Sequence, residues 1–148
     1  MSFENHYLFA QDNTVVIHSH KGGKFIRVHP DNHKKVDHGG VKGKKKQRRV
    51  SWEESGPLTI WHANKEGDKI AFKSDKGEGW LRITEDHKVD AAGVKGGPQT
   101  WFKVHKIKDG FYKFESVKHE GHYLAVRDDE VTTGSGGPFC EFELFREK

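Results

Sequence analysis

A basic run in the first half of the chain is the densest group of side chains with an evident chemical role. Six positive charges fall within eight residues, carried by Lys42, Lys44, Lys45, Lys46, Arg48 and Arg49. We call residues 42–49 the basic segment. Such a segment raises the local potential and the rate of encounter with anionic surfaces. We predict that it docks on an acidic polymer surface, and the competing interpretation is a solvated loop that promotes solubility.

Ser51 follows the two arginines of the basic segment at a spacing that basophilic kinases favour. Phosphorylation would add a charge of up to about −2 beside the positive charges. Ser51 is therefore a candidate phosphosite that would switch docking off. So short a motif also arises by chance, and that interpretation stays open.

Eleven histidines form a second group of titratable side chains. His18 and His20 alternate along a predicted strand and so share one face of it. A metal site needs three or four converging ligands, and Cys140 has no histidine near it in sequence, so we predict no metal site. We expect solvent-facing histidines instead, whose protonation would raise the net charge from +4 to as much as +15. Affinity for an anionic partner should then rise between about pH 7.5 and 6.

Signals for catalysis are weak. Residues 39–44 contain glycines and a lysine, but their spacing is one residue short of a phosphate-binding loop, and no helical pattern follows. The adjacent carboxylates Glu53–Glu54 and Asp128–Asp129 would point apart on a strand. The single cysteine, Cys140, excludes an internal disulfide and a paired-cysteine motif. We predict a protein that is not an enzyme and that carries no cofactor.

The elements that must position these residues are predicted to be strands. Hydrophobic residues make up 32% of the chain and aromatic residues 11%, and no helical stripe of apolar residues persists over three turns. Short aromatic and β-branched segments recur instead, separated by glycine and polar turns. The predicted strands are 15–19, 24–28, 58–63, 69–74, 79–83, 101–107, 111–116, 122–126 and 139–145. The pattern is typical of an all-β sandwich or barrel.

Three copies of one unit align along the chain. Each copy has a strand ending in serine, a glycine turn, an aromatic residue, a lone valine, a Gly-Pro pair, and a second aromatic residue. From the first copy to the third, the serines are Ser19, Ser74 and Ser116, and the first aromatic residues are Phe25, Trp80 and Tyr123. In the same order, the valines are Val36, Val89 and Val131, and the second aromatic residues are Trp61, Phe102 and Phe142. We expect both aromatic sets to meet in one core.

These copies predict one domain, 1–148, made of three four-strand repeats at about 14–63, 69–107 and 111–146. One copy cannot cover its own apolar face, whereas three can close around a pseudo-threefold axis. The first copy is longer. If its closing strand is the one after Pro57, the extra segment contains the basic segment, and if its closing strand is 50–52, the insertion is 53–68. The sequence leaves both registers open, and in both the basic segment is predicted to be a loop.

The repeated sequence pattern reads IAFKSDKGEGWLRI from residue 70 and YKFESVKHEGHYLAV from residue 112. This pattern resembles that of the fascin and hisactophilin family of β-trefoils. The stretch Lys44–Gln47, followed by Val50 and Trp52, is similar to a basic stretch of fascin. The resemblance implies a single β-trefoil, F-actin contact near this stretch, and pH-sensitive binding to actin and membrane. Residues 22–32 are also similar to the first repeat of fibroblast growth factors.

F-actin is therefore the favoured partner, with anionic lipid or a sulfated glycan as further candidates and no specific nucleic acid predicted. The alternative function is a glycan- or heparin-binding trefoil of the lectin or cytokine type. The polar turns 29–32, 84–87 and 127–130 differ in composition, which disfavours a threefold sugar site. The first residues lack a signal-peptide pattern, so we expect a cytoplasmic, cytoskeleton-associated protein, with nuclear entry if the basic segment acts as a localisation signal.

Overall fold

Short segments rich in aromatic and β-branched residues form strands throughout the part of the chain that the structure, a computed structural model, describes. It describes residues 13–21, 25–29, 31–37, 49–50, 57–77, 79–127 and 130–147. In these ranges the strands are β1 Asn13–Ser19, β2 Arg27–His29, β3 Asn32–Asp37, β4 Arg49–Val50, β5 Trp61–Glu66, β6 Lys69–Ser74, β7 Trp80–Ile83, β8 Val89–Gly93, β9 Phe102–Lys108, β10 Phe111–Ser116, β11 Tyr123–Arg127, β12 Glu130–Gly134 and β13 Phe142–Glu147. The predicted all-β class is confirmed.

Six of these strands pair in a closed ring. The neighbours around the ring are β1, β5, β6, β9, β10 and β13, with β13 returning to β1, and every pair is antiparallel. A closed ring leaves no open edge along these strands for another chain to extend. Because side chains alternate along each strand, one face of every strand points into the ring.

Three hairpins, β2–β3, β7–β8 and β11–β12, complete the fold. β7 pairs with β6 and β11 with β10, while Phe25, just before β2, forms a bridge with His18 on β1. The hairpins also contact one another, since β3 pairs with β8 and β12 lies against both. Their valines Val36, Val89 and Val131 pack on the main core, and β8 adds Ala91, which explains why a valine recurs in each return strand.

Three short 3-10 turns, Pro57–Thr59, Pro98–Thr100 and Pro138–Cys140, precede the ring strands β5, β9 and β13. Their equivalence shows that the closing strand of the first unit is β5. Residues 49–50 form the separate strand β4, which pairs in parallel with β13. In the described part of the chain, no helix is long and apolar enough to span a membrane.

The recurrent aromatic residues divide between two environments. Trp61, Phe102 and Phe142 are fully buried in the main core inside the ring, where each large side chain contributes about 1.5–3 kcal/mol by its burial. Phe25 belongs to a smaller cluster with Val16, Ile60 and Phe145. Tyr123 is half-buried, and Trp80 keeps 7% of its surface exposed. The expectation that both sets share one core is therefore right for the second set only.

Candidate functional site

The basic segment lies almost entirely outside the described residues. This holds for Lys42, Lys44, Lys45, Lys46 and Arg48, and also for the candidate phosphosite Ser51. Arg49 begins β4, where its backbone pairs with Arg146 of β13. On either side of the basic segment, the described residues are β3, which ends at Asp37, and β4, which begins at Arg49.

The other acidic and glycine motifs fall outside the described residues as well. These are residues 39–44, the pair Glu53–Glu54 and the pair Asp128–Asp129. Cys140 is described: it is a free, buried cysteine at the end of the third Gly-Pro turn, where Thr59 and Thr100 occupy the equivalent buried positions. Burial raises the pKa of its thiol, which disfavours the nucleophilic thiolate form.

His18 corrects the expectation of solvent-facing histidines. It is 1% exposed, and its Nδ1 lies 3.3 Å from Oε1 of Glu143, which is also buried. The two residues are cross-strand partners on β1 and β13, and the His18 ring packs edge-on against Phe25 and Phe145. A histidine–glutamate pair is thus enclosed between the ring and the smaller apolar cluster.

Three histidines, one from the β7–β8 turn and two from the β10–β11 turn, meet at the surface. The rings of His87 and His122 stack with centroids 3.8 Å apart, and His119 lies 5.2 Å from His87. Burial, followed by the charges of His87 and His119, lowers the pKa of His122. No group of three histidine, cysteine or acidic residues in the described ranges has the arrangement of a metal site. The sequence indicated His119 and His122 as neighbours but gave no signal for His87, which comes from another unit.

Two further histidines bind carboxylates. His62 Nε2 lies 2.7 Å from Asp75 Oδ1, and His105 Nε2 lies 2.7 Å from Glu115 Oε1. The second oxygen of Glu115 accepts the Gly121 N–H at 2.8 Å. Burial raises the pKa of Glu115, but the hydrogen bonds from Gly121 and His105 and the nearby charges outweigh it, and the net pKa lies below the ordinary value.

Arg–Asp pairs recur in the first two hairpins, a feature that the sequence analysis missed. Arg27 donates two hydrogen bonds to the Asp37 carboxylate, at 2.7 and 3.3 Å. Arg82 likewise donates two to the Asp90 carboxylate, at 2.7 and 3.2 Å. In both hairpins the partners face each other across the strands. The third hairpin has Ala125 opposite Thr132 at the corresponding place. A repeat alignment extended to the polar positions would have shown this pair.

A surface cleft of about 420 Å³ opens between the first two units. It is lined by residues from three neighbouring strands and one turn, namely His62, Asn64, Lys73, Trp80 and Lys95. We call it the Lys73 cleft. It combines an aromatic ring, an amide and two ammonium groups, a set that can bind a small polar anion with an apolar face. Sequence analysis did not predict it, because its residues are distant along the chain.

No protein-family profile matches the chain, and no curated protein matches it. Among solved structures, the chain is similar to the GlcNAcα1-4Gal-releasing endo-β-galactosidase from Clostridium perfringens, with a TM-score of 0.72 and 14% sequence identity. The match covers 92% of this chain and 33% of that protein, so this chain spans a third of the other's length. At this identity the similarity establishes a shared fold and no activity.

Proposed function

We propose that the chain is a single β-trefoil of the fascin and hisactophilin type that binds F-actin and has no catalytic role. Three features support the trefoil: the closed six-strand ring, the three hairpins in mutual contact, and the three equivalent Gly-Pro turns. The repeated sequence pattern supports the fascin-like assignment. A cytoplasmic location beside the cytoskeleton belongs to the same proposal.

The observation that carries actin binding is the charge of the basic segment and its place in the chain. Six of its eight residues are cationic, and strands β3 and β4 join it to the sheet at either end. The other two units have no comparable insertion. Each exposed ion pair with a filament carboxylate contributes less than about 1 kcal/mol, so several lysines and arginines must act together.

Co-sedimentation with actin filaments tests this proposal. We expect the wild-type protein to pellet with filaments and the variant Lys44→Glu/Lys45→Glu/Lys46→Glu to remain in the supernatant, because the substitution changes the segment from cationic to acidic. The matched control, Lys76→Glu/Lys88→Glu/Lys118→Glu, makes the same charge change at three exposed lysines elsewhere. Equal pelleting of the two variants would show that the basic segment is not the contact.

Modification and pH would adjust the same contact. Phosphorylation of Ser51 adds negative charge beside the segment, and histidine protonation adds positive charge to the whole molecule. In the same assay we expect Ser51→Glu to weaken pelleting, and wild-type pelleting to strengthen from about pH 7.5 to 6. Unchanged affinity in either case would remove that form of control while leaving actin binding intact.

Glycan binding is the second candidate function, and the Lys73 cleft favours it. The similar solved structure is named for an enzyme that releases a GlcNAcα1-4Gal unit, which makes carbohydrate a reasonable ligand class for a shared scaffold. Retention on a heparin column, compared with an uncharged glycan column, tests this candidate without reference to actin. Absence of retention on both columns would reject it.

A further inference from the structure

We infer that the Lys73 cleft is a binding site for an acidic saccharide, a sugar unit that carries sulfate or carboxylate. The inference rests on the glycan-binding candidate and is independent of the basic segment. The cleft is built from described residues on β5, β6 and β7 and on the turn after β8. The sheet holds His62, Asn64, Lys73 and Trp80 in place, and the turn after β8 adds Lys95.

The sheet register brings the lining residues together. His62 on β5 stands opposite Lys73 on β6, and Lys73 in turn stands opposite Trp80 on β7. Asn64 lies two residues beyond His62, so its side chain emerges on the same face of β5. Side chains from the three adjacent strands β5, β6 and β7 thus form the floor of the cleft.

The turn after β8 forms the remaining side of the cleft, and it is positioned by the close packing of β8 on β7. A Cβ atom at Gly93 would lie 2.8 Å from the Trp80 carbonyl oxygen and 2.5 Å from Cγ2 of Thr100. Glycine at this position lets the end of β8 pack closely on Trp80. The following turn then carries Lys95 to the cleft, where it joins Lys73.

The charges of the cleft select an anion. Lys73 and Lys95 contribute two positive charges to its lining. The carboxylate of Asp75 is hydrogen-bonded to His62 Nε2, which holds the imidazole in a fixed orientation. A sulfate or carboxylate on the ligand can accept charge-assisted hydrogen bonds from these ammonium groups.

The remaining groups select a sugar over a simple ion. Trp80 is only 7% exposed, and the small part that lines the cleft gives a sugar ring one apolar contact, while the Asn64 amide can both donate to and accept from hydroxyl groups. The volume of about 420 Å³ falls in the range of small-ligand sites, roughly 300–1,000 Å³. Inorganic sulfate would leave Trp80 and Asn64 unused, and a neutral sugar would leave the lysines unused.

Isothermal titration calorimetry with three probes tests the inference: a fully sulfated heparin disaccharide, an uncharged disaccharide, and inorganic sulfate. We expect the sulfated disaccharide to bind most tightly. Lys73→Gln/Lys95→Gln should weaken it about tenfold or more, since two exposed charge contacts are lost. Trp80→Phe should weaken both disaccharides, and the control Lys88→Gln/Lys118→Gln should leave all affinities unchanged.

Two results would overturn the inference. One is equal affinity for the sulfated disaccharide and inorganic sulfate, which would mean that no sugar is recognised. The other is a Lys73→Gln/Lys95→Gln variant that binds the sulfated disaccharide with full affinity while the Lys44→Glu/Lys45→Glu/Lys46→Glu variant does not bind it. That result would place glycan binding on the basic segment, so the protein would still be a glycan binder. The glycan candidate itself fails only if the wild type is retained by neither column. Far-ultraviolet circular dichroism of each variant separates loss of binding from loss of fold.

Discussion

The enclosed pair of His18 and Glu143 is the least expected arrangement at the scale of single residues. Side chains alternate along a strand, so His18 lies on the same face of β1 as Val16, and His18 was expected to face solvent. This face is buried because Phe25, Ile60 and Phe145 cover it with a second apolar cluster. Alternation tells which residues share a face, but only the packing of distant segments decides whether that face meets water.

The pair should show coupling in a double-mutant cycle. His18→Leu or Glu143→Leu alone leaves the other polar group buried without its partner, which should cost about 1–3 kcal/mol of unfolding free energy. The double variant removes both groups, so its loss should be smaller than the sum of the single losses by at least about 0.5 kcal/mol. Urea denaturation of the four proteins measures this, and strict additivity would show that the two side chains do not interact.

Glu115 should give the protein an acid-sensitive element of stability. Its folded pKa lies below the ordinary value of 4.5, so the unfolded chain takes up the proton first as pH falls. The stabilisation is therefore complete above about pH 4.5 and is lost as the pH falls through the folded pKa. Urea midpoints at about pH 6 and pH 3 should differ less in Glu115→Gln than in the wild type or in the exposed control Glu120→Gln. An identical acid shift in all three proteins would contradict this assignment.

At the scale of elements, the sequence indicates the ring strands well and the hairpin return strands poorly. β5, β6, β9, β10 and β13 carry dense apolar and aromatic residues, and all were predicted within a few positions. The return strands β3, β8 and β12 were not predicted as strands. β3 and β12 are mostly polar and, apart from Val131, half-buried or exposed. β8 consists mainly of small residues, and its Ala91 is buried in the core. The strand character of these segments therefore comes from pairing and from a few residues packed on the core.

The Arg–Asp pairs are expected to stabilise their hairpins modestly. Arg82→Met/Asp90→Asn removes a two-point contact that is about one-third exposed, and the loss should be about 0.5–1 kcal/mol. Asp109→Asn, which removes a contact between Lys106 and a carboxylate that is 84% exposed, should lower the melting temperature by much less. Hydrogen exchange in β7 and β8 would report the same change locally. Equal melting temperatures for the first variant and the wild type would show that the pair is not a stability element.

At the scale of the whole molecule, three similar units enclose a main core, and the sequence of the first unit carries an additional cationic segment. This segment was visible in the sequence because its charges are contiguous. The Lys73 cleft was not, because β5, β6, β7 and the Lys95 turn meet only after folding. The basic segment and the Lys73 cleft are thus two separate proposed binding surfaces, and the variants described above distinguish them.

Salt-dependent co-sedimentation of the wild-type protein with actin filaments tests the central claim most directly. Docking through several exposed cations should be strong at an ionic strength near 0.05 M and should fall steeply towards about 0.3 M, as screening shortens the reach of each charge. The Lys44→Glu/Lys45→Glu/Lys46→Glu variant should show little binding at any salt concentration. Wild-type binding that is absent at low salt, or that persists undiminished at high salt, would contradict electrostatic docking on F-actin.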